Sequence, residues 1–484
     1  LFKIIVFPER SPTFEEREVS QSKSNKLRND IAGINVKVPV LGGSYKRFIY
    51  FDNAASTPPL KSVLRAVEEF MPYYASVHRG SGFKSLVSTR AYEEAHRLAG
   101  EFVGADLDNQ TVIFVKNTTE ALNKLANRLP LKKDSIVLCS LMEHHSNDLP
   151  WRYKAKLIHV EIDREGRIDE EDLETKLRKY YPRVAVLTVT GASNITGFLP
   201  PIHKYARLAH QYSCRIVVDA AQLAPHRPID MKNSSDPEHI DYLTYAGHKM
   251  YAPFGTAVLI GDRETFLAGD PDQKGGGTVS MTDRKKVVWA HLPDKEEAGS
   301  PNAVGAVALA AAIKYFRRVG FKKIVSHERR LAKYALKRMQ EIGGINIYGD
   351  KRASLPEDRL GSIPFILEGE PHGKVAAILG YEGGIGLRNG CFCANPFMQA
   401  LLKIPTRKLR KIHQQIRQSY RAEVPGTVRV SFGIQNTTAE IDRLIKMLKI
   451  ISEGKYNGKY VVNPRTGEYH PRGFKVDLHT FLPF

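Results

Sequence analysis

The chain has 484 residues, more than one hydrophobic core usually supports, and its 42% apolar and 26% charged content is that of a soluble globular protein, here expected to have two domains. Four cysteines are too few for a secreted disulfide framework and no apolar run reaches the roughly twenty residues of a membrane span, so a reducing, cytoplasmic setting is expected. A net charge of +20 fits contact with nucleic acid, a membrane surface or an acidic protein, or simply a basic proteome; without a helix-turn-helix, zinc-finger or aromatic RNA-binding pattern, neither nucleic acid nor membrane is expected as a partner.

The opening LFKIIVF is broken by Lys3 and stops at Pro8, and the chain starts on Leu1 rather than Met, so part of its start is expected to be missing. Residues 11–35 are polar and charged, which predicts a flexible arm over 1–47 with order beginning near Phe48. FIYFDNAASTPPL then reads as a strand and an Asn-rich turn. Helical spacing covers Lys61–Tyr74 and Ser88–Val103, with His78, Arg79 and Gly80 between them. In TVIFVKNTTEALNKLA, a strand over Val112–Val115 breaks at Asn117, Thr118 and Thr119 before a helix from Glu120. That order aims free backbone N–H groups and the helix dipole at the turn, which suits a phosphate; without a ligand the same residues are a Thr N-cap.

Strands over Ser135–Cys139, Lys156–Ile162 and Ala185–Val189 alternate with helices over Glu170–Tyr180 and from Pro200-Pro201 to Tyr212. Such alternation predicts an α/β fold with a mostly parallel, doubly wound sheet. The first strand runs into MEHHSNDLPW, with His144 and His145; the third runs into GASNITGFLPPI, with Asn194. RIVVD, Arg215–Asp219, is a buried strand that ends in an acid and is followed by Ala220, Ala221 and Gln222. A carboxylate there faces the crevice where open α/β sheets bind ligands. DYLTYAGHKMYAPFGTAVLIG, Asp241–Gly261, reads as two buried strands around a turn carrying His248 and Lys249. An unpartnered buried ammonium is costly, so Lys249 is either an exposed turn residue or has a chemical task, for which Schiff-base formation with an aldehyde cofactor is the available one. Pyridoxal phosphate fits, since an acid such as Asp219 paired to its pyridine nitrogen keeps the ring electron-withdrawing.

Beyond Lys249 come GGGT, Gly275–Thr278, and EAGSPN, Glu297–Asn302, then helices over Pro301–Tyr315 and Phe321–Ile342. A second domain shows strands over Arg359–Leu367 and Val428–Phe432 and helices over Pro371–Leu379 and Thr438–Ser452. The expected organisation is a large domain over 48–320, a small one over 321–455 and a tail, 456–484, with no core role. Within the small domain lies GIGLRNGCFCANPF. Its Cys391 and Cys393 read as a metal half-site, a redox pair, or a nucleophile beside a bystander; with no further Cys or suitably spaced His, zinc is disfavoured and no metal is expected. Cys139 and Cys214 sit in strand contexts as small buried hydrophobes.

VVDAAQLAPHRPIDM followed by DYLTYAGHK resembles the cofactor core of class V aminotransferases, in the cysteine desulfurase and selenocysteine lyase branch, and the motifs follow in family order over residues 48–452. The resemblance implies a fold type I transferase that depends on pyridoxal 5'-phosphate, with a smaller α+β C-terminal domain. It places Thr118, Thr119, His144, Asn194, Asp219, Gln222, His248 and Lys249 on the cofactor, and Ser300, with the GGGT loop, at the cofactor phosphate of the neighbouring subunit in a homodimer. His144 stacks on the pyridine and exchanges protons, with His145 as support. Arg388, Arg429, Asn194 and His78 fall to the substrate, Arg429 being the better carboxylate clamp because a planar fork binds bidentately. LRNGCFCANP makes Cys393 the nucleophile and Cys391 a relay. The reaction implied converts L-cysteine to L-alanine and leaves a persulfide on Cys393; a selenocysteine lyase, a C–S lyase, an epimerase, an aminotransferase or a non-catalytic scaffold with the same fold stays open.

Two departures stand out. Ala246 replaces a serine that contacts the phosphate in desulfurases. Extra length after Cys393 carries LLKIPTRKLRKIHQQIRQSYR, which holds no acid. It is expected to form a surface helix, with Leu409, Ile412 and Ile416 packed inward and Lys408, Arg410, Lys411 and Arg417 in water, that docks an acidic sulfur-acceptor protein.

Overall fold

The computed structural model describes residues 27–78, 80–352 and 358–484. Residues 1–26 of the expected arm, and Arg79, lie outside the described residues. The larger of two α/β units is built on a seven-stranded sheet. Its strands lie in the order Gln110–Val115, Ala257–Asp262, Tyr242–Ala246, Arg215–Asp219, Val184–Thr190, Ile136–Ser140 and Lys156–Val160. Ala257–Asp262 runs antiparallel to both neighbours, and the remaining neighbouring pairs are parallel.

Alternation along each strand divides the side chains between two cores. Val112, Ile136, Leu138, Ile216 and Val218 enter one; Ile113, Val137 and Val217 enter the other. Both faces are therefore covered, as the near-continuous apolar runs require. Each fully buried Ile, Val or Leu contributes about 1.5–3 kcal/mol against exposure. The Ala-rich helix Ala303–Val319 packs on Lys61–Phe70 and Phe83–Phe102. Its side chains are small enough for close approach, and its N-cap Asn302 accepts the Gly305 N–H at 2.9 Å.

The second unit has a four-stranded antiparallel sheet, ordered Ile345–Ile347, Ser362–Leu367, Thr427–Ser431 and Arg388–Gly390. Helices Phe321–Gln340, His372–Tyr381 and Thr438–Ser452 share its core. The last starts at a capping box between Thr437 and Glu440.

Three expectations are corrected here. Residues 27–47 are not a flexible arm: Ile31 is buried beside Leu60, the buried Arg28 pairs with Glu440 at 2.7 Å, and Lys37–Pro39 pairs with Tyr45–Arg47. Ile31 and Val40 are buried, Leu27, Ile34, Val38 and Leu41 are half-buried, and the buried charge is paired, so the polar composition misled. Ile49 and Phe51 belong to the core of the small unit rather than the large one, because Ile49–Tyr50 pairs with Ile385–Gly386. The tail is packed as well. Tyr460–Val462 pairs with Tyr469–Pro471, and Glu382 accepts from the amides of Asn457 and Gly458 and from the Tyr460 hydroxyl, at 2.9–3.2 Å. A hairpin, Val279–Thr282 with Val287–Trp289, follows the glycine triplet unpredicted.

Candidate active site

The carboxyl ends of Ile136–Ser140, Val184–Thr190, Arg215–Asp219 and Tyr242–Ala246 meet the small unit at a cleft of about 200 Å³. Its position at the strand ends follows the rule for open α/β sheets. Thr118, Thr119, His144, Asn194, Asp219, Gln222, His248, Lys249, Arg388, Cys393 and Arg429 all line it. His78 and Ser300 do not: His78 stands 3.5 Å from Asp294, and Ser300 is exposed in the loop before Ala303–Val319.

On the floor, the turn Gly247–Lys249 brings Lys249 Nζ to donate to Gln222 Oε1 at 3.2 Å. Burial pushes its ammonium down to about 8, against the opposing pull of Asp219, while Arg429 and Arg388 push the same way. Asp219 is buried and its carboxyl is raised by desolvation, an effect reduced by the Ala221 N–H, which donates to Oδ1 at 3.0 Å, and by Lys249. His144 is held neutral by burial and by Lys249, pushed down to about 3. The Ser146 N–H donates to its Nδ1 at 3.1 Å, so the neutral ring carries its proton on Nε2. His248, half-buried, is pushed down to about 4 by desolvation and by Lys249.

At one end, helix Thr118–Arg128 points its first turn into the cleft. Asn117 caps it, accepting the Glu120 N–H at 2.9 Å, and the amides of a first turn have no partner within the helix. Thr119 Oγ1 lies 2.6 Å from Ser146 Oγ, which in turn lies 3.0 Å from His144 Nδ1. Ala246 is fully buried in the core with Val115, Ala257 and Leu259 and is not part of the lining, whereas Asn117, Thr118, Thr119, Ser146 and His248 line the cleft.

At the rim, Arg388 and Arg429 stand opposite each other on paired strands, and Asp52 bridges them. Arg429 Nη2 donates to Asp52 Oδ1 at 2.7 Å and Arg388 Nε to Oδ2 at 3.1 Å. Arg429 is buried, its Nη1 donates to Asn194 O at 2.9 Å, and among the described residues its Nε has no hydrogen-bond partner. Its guanidinium also covers the Phe392 ring, 4.7 Å from the centroid. The sulfur loop is clamped from several sides. Phe392 O accepts from Asn194 Nδ2 at 2.9 Å, Cys393 O from the His145 N–H at 2.7 Å, and His145 Nε2 from the Asn395 N–H at 3.0 Å. Phe392 and Cys393 both take left-handed backbone, φ 53° and 54°, in a turn closed by Ala394 N–H to Cys391 O at 3.0 Å. Cys393 is exposed at its tip; Cys391 is turned towards Pro425 O at 3.1 Å and its thiol is pushed up to about 11 by burial and by Cys393.

Sequence reasoning missed Asp52, Ser146 and Phe392. Asp52 carried a signal, an acid ending the apolar run FIYF, whereas Phe392 gave none, since only the fold puts it under Arg429.

Residues 49–444 match the family described as Aminotransferase class-V, and the chain belongs to that family. Among its relatives, a probable cysteine desulfurase of Halalkalibacterium halodurans is 32% identical over 84% of this chain and 93% of its own. A cysteine desulfurase of Haloferax volcanii is 31% identical over 84% and 89%. Among solved structures, the apo cysteine desulfurase from Thermococcus onnurineus NA1 aligns with a TM-score of 0.75 at 30% identity, covering 89% of this chain and 98% of that one. A cysteine desulfurase from Escherichia coli, in an S-sulfonic acid form, gives 0.73 at 26% over 90% and 99%. These families depend on pyridoxal phosphate. The cleft offers what that group requires: a buried acid whose Oδ2 accepts no hydrogen bond among the described residues, a lysine of lowered basicity and a helix N-terminus for a phosphate.

Proposed function

We propose that the chain is a pyridoxal 5'-phosphate-dependent cysteine desulfurase that takes sulfur from L-cysteine onto Cys393 and releases L-alanine. The observation that carries this is the convergence of Lys249, Asp219, both arginines and an exposed Cys393 on one cleft. Lys249 and Asp219, with Gln222, His144, Asn194, His248, Thr118 and Thr119, would hold the cofactor, which supplies an electron sink for carbanion chemistry at the amino acid's Cα. Arg429, with Arg388 beside it, receives the substrate carboxylate. Lys249 Nζ, which titrates near neutrality, takes and returns protons at Cα and Cβ, and His144 Nε2 donates to a substrate atom above the floor. Cys393 Sγ, as thiolate, attacks the substrate sulfur: an S–S bond forms as the C–S bond breaks.

A homodimer is part of this reading. Ser300 and His78 lie outside their own cleft, where a second copy could use them, and two-fold pairs are the usual oligomer. The basic segment supplies an acceptor surface: helix Thr406–Arg417 buries Ile412, half-buries Leu409 and Ile416, and exposes Lys408, Arg410, Lys411 and Arg417. Free cysteines at the site fit a reducing compartment such as the cytoplasm, and among the described residues no helix is long and apolar enough to cross a membrane. Incubating the purified, cofactor-loaded chain with L-cysteine should yield alanine, with sulfide released in step once a thiol reductant is added. Alanine production unaffected by Cys393→Ala, or none from the unmutated chain, would refute the reading.

A further inference from the structure

Away from the cleft, at the starts of strands Arg215–Asp219 and Tyr242–Ala246, His210, His239 and Asp241 bring their ligand atoms within 4.8 Å of one another. His210 stands in the last turn of helix Ile202–Gln211, and the other two close the loop into Tyr242–Ala246. His210 Nδ1 lies 2.8 Å from Pro237 O, and His239 Nδ1 lies 2.7 Å from Asp236 O. A carbonyl oxygen only accepts, so each Nδ1 carries a proton. Each Nε2 faces the Asp241 carboxylate: His210 at 3.0 Å from Oδ2, His239 at 3.5 Å from Oδ1. A carboxylate also only accepts. At 3.0 Å the His210 Nε2 carries a second proton or turns its lone pair to a cation, and at 3.5 Å, beyond good hydrogen-bond range, the His239 Nε2 has its lone pair open to a cation.

Two second protons would make a pair of imidazolium rings stacked with centroids 4.2 Å apart and planes 20° apart, like charges at close range. A neutral imidazole whose Nδ1–H is held by a backbone carbonyl is, by contrast, the oriented form in which histidine ligates a metal through Nε2. We propose that His210 Nε2, His239 Nε2 and the Asp241 carboxylate form a site for a divalent transition ion of the zinc class, with a further position open to water. The side chains are 19%, 18% and 10% exposed, so an ion can enter from solvent without local unfolding. Its task is structural. Asp241 Oδ2 also accepts the Ile216 N–H at 2.8 Å, so the ion fastens the end of helix Ile202–Gln211 to the starts of the two strands whose far ends present Asp219 and lead to Lys249.

The test uses the full, cofactor-loaded chain carrying Cys391→Ser and Cys393→Ser, so that thiols do not compete. Calorimetric titration with zinc chloride should show one ion per chain with a Kd below about 1 μM, as expected of a pre-oriented structural site. Outer partners of metal ligands alone are worth about 10–100-fold, so loss of a ligand in His239→Ala should weaken binding by more than about 100-fold. Cobalt(II) should give visible ligand-field bands in the parent and none at matched concentration in His239→Gln, a milder change should the alanine variant fail to fold. Zinc should raise Tm in the parent and leave His239→Gln unmoved. Zinc binding no tighter than about 100 μM, equal affinity in the histidine variants, or equal stabilisation by magnesium would overturn the site and leave a protonated histidine pair on Asp241.

Discussion

On the floor of the cleft, Lys249, His144 and His248 are pushed towards their neutral forms by burial, whereas at the rim the drier Arg429, lowered by burial as well, stays cationic because its ordinary pKa lies far above neutrality and Asp52 pairs it. The floor groups must gain and lose protons, so low dielectric tunes them; the rim groups must stay cationic for a carboxylate, so a fixed acid holds them. The same desolvation thus lowers all four groups, and a contacting counter-ion together with a high starting pKa decides which one keeps its charge. Removing Lys249 is the strongest way to break the contrast. Lys249→Ala should cost at least about 10⁴-fold in alanine production. The fold should survive. In the folded chain the Lys249 pKa is lowered from 10.5 to about 8, so between those values the unfolded chain binds the extra proton and the stability of the parent rises with pH. Urea unfolding of Lys249→Ala should lack that rise; an identical pH profile would show that Lys249 is not desolvated.

At the rim the comparison can be made within one ion triad. Asp52→Ala leaves the buried Arg429 without its partner and should destabilise by about 3 kcal/mol in urea unfolding. Arg388→Ala removes an arginine that is 47% exposed and should cost less than about 1 kcal/mol, while raising KM for L-cysteine more than it lowers kcat. Equal stability losses in the two variants would mean that burial does not separate the arginines.

How much of this was legible in the text of the chain follows the same division. The floor is read from local strings: RIVVD, GHK and NTT each put their functional residue at a strand end or helix start, and Arg215–Asp219 and Glu170–Tyr180 appear at the predicted bounds. The rim is assembled from Asp52, Arg388, Phe392 and Arg429, which come from three separated segments and meet only because Arg388–Gly390 pairs with Thr427–Ser431 and Asp52 bridges to Ser431. Cross-strand register of that kind leaves no trace in periodicity. The packed segment 27–47 and the tail hairpin were misread for a related reason: composition reports average polarity, and a few placed residues such as Ile31, Arg28 and Tyr460 suffice to anchor a polar strand.

Acid should separate the floor from the rim by a smaller effect. His144 is pushed from 6.5 down to about 3 in the folded chain, so from pH 6.5 downward the unfolded chain takes up the proton first and stability is lost as pH falls through that window. The loss should approach about 1 kcal/mol per pH unit for this residue, with His248 adding its own down to about pH 4. His144→Asn should flatten the profile between pH 6 and 4 in urea titrations, and Arg388→Ala, which removes only the smallest of the causes acting on His144, should alter it far less. No flattening would place His144 in water rather than on a dry floor.

The smallest expected effect concerns the helix Thr406–Arg417, which follows the sulfur loop in sequence, after the helix Asn395–Leu401. Its charges behave as neither floor nor rim. Lys408, Arg410 and Lys411 are exposed, and the contact of Lys411 with Glu423, at 3.7 Å, is an exposed pair worth little to the fold. Reversing all three to Glu should therefore leave alanine formation with a small thiol reductant within about twofold. Transfer to an acidic acceptor protein depends on encounter, and steering by opposite charges can change association rates by tenfold or more and fades with salt. Delivery to such an acceptor should fall by about tenfold at low ionic strength, with the gap closing as salt is raised. Equal losses with thiol and with protein would show that the helix supports the sulfur loop, and a salt-independent loss would show that its shape rather than its charge meets the partner.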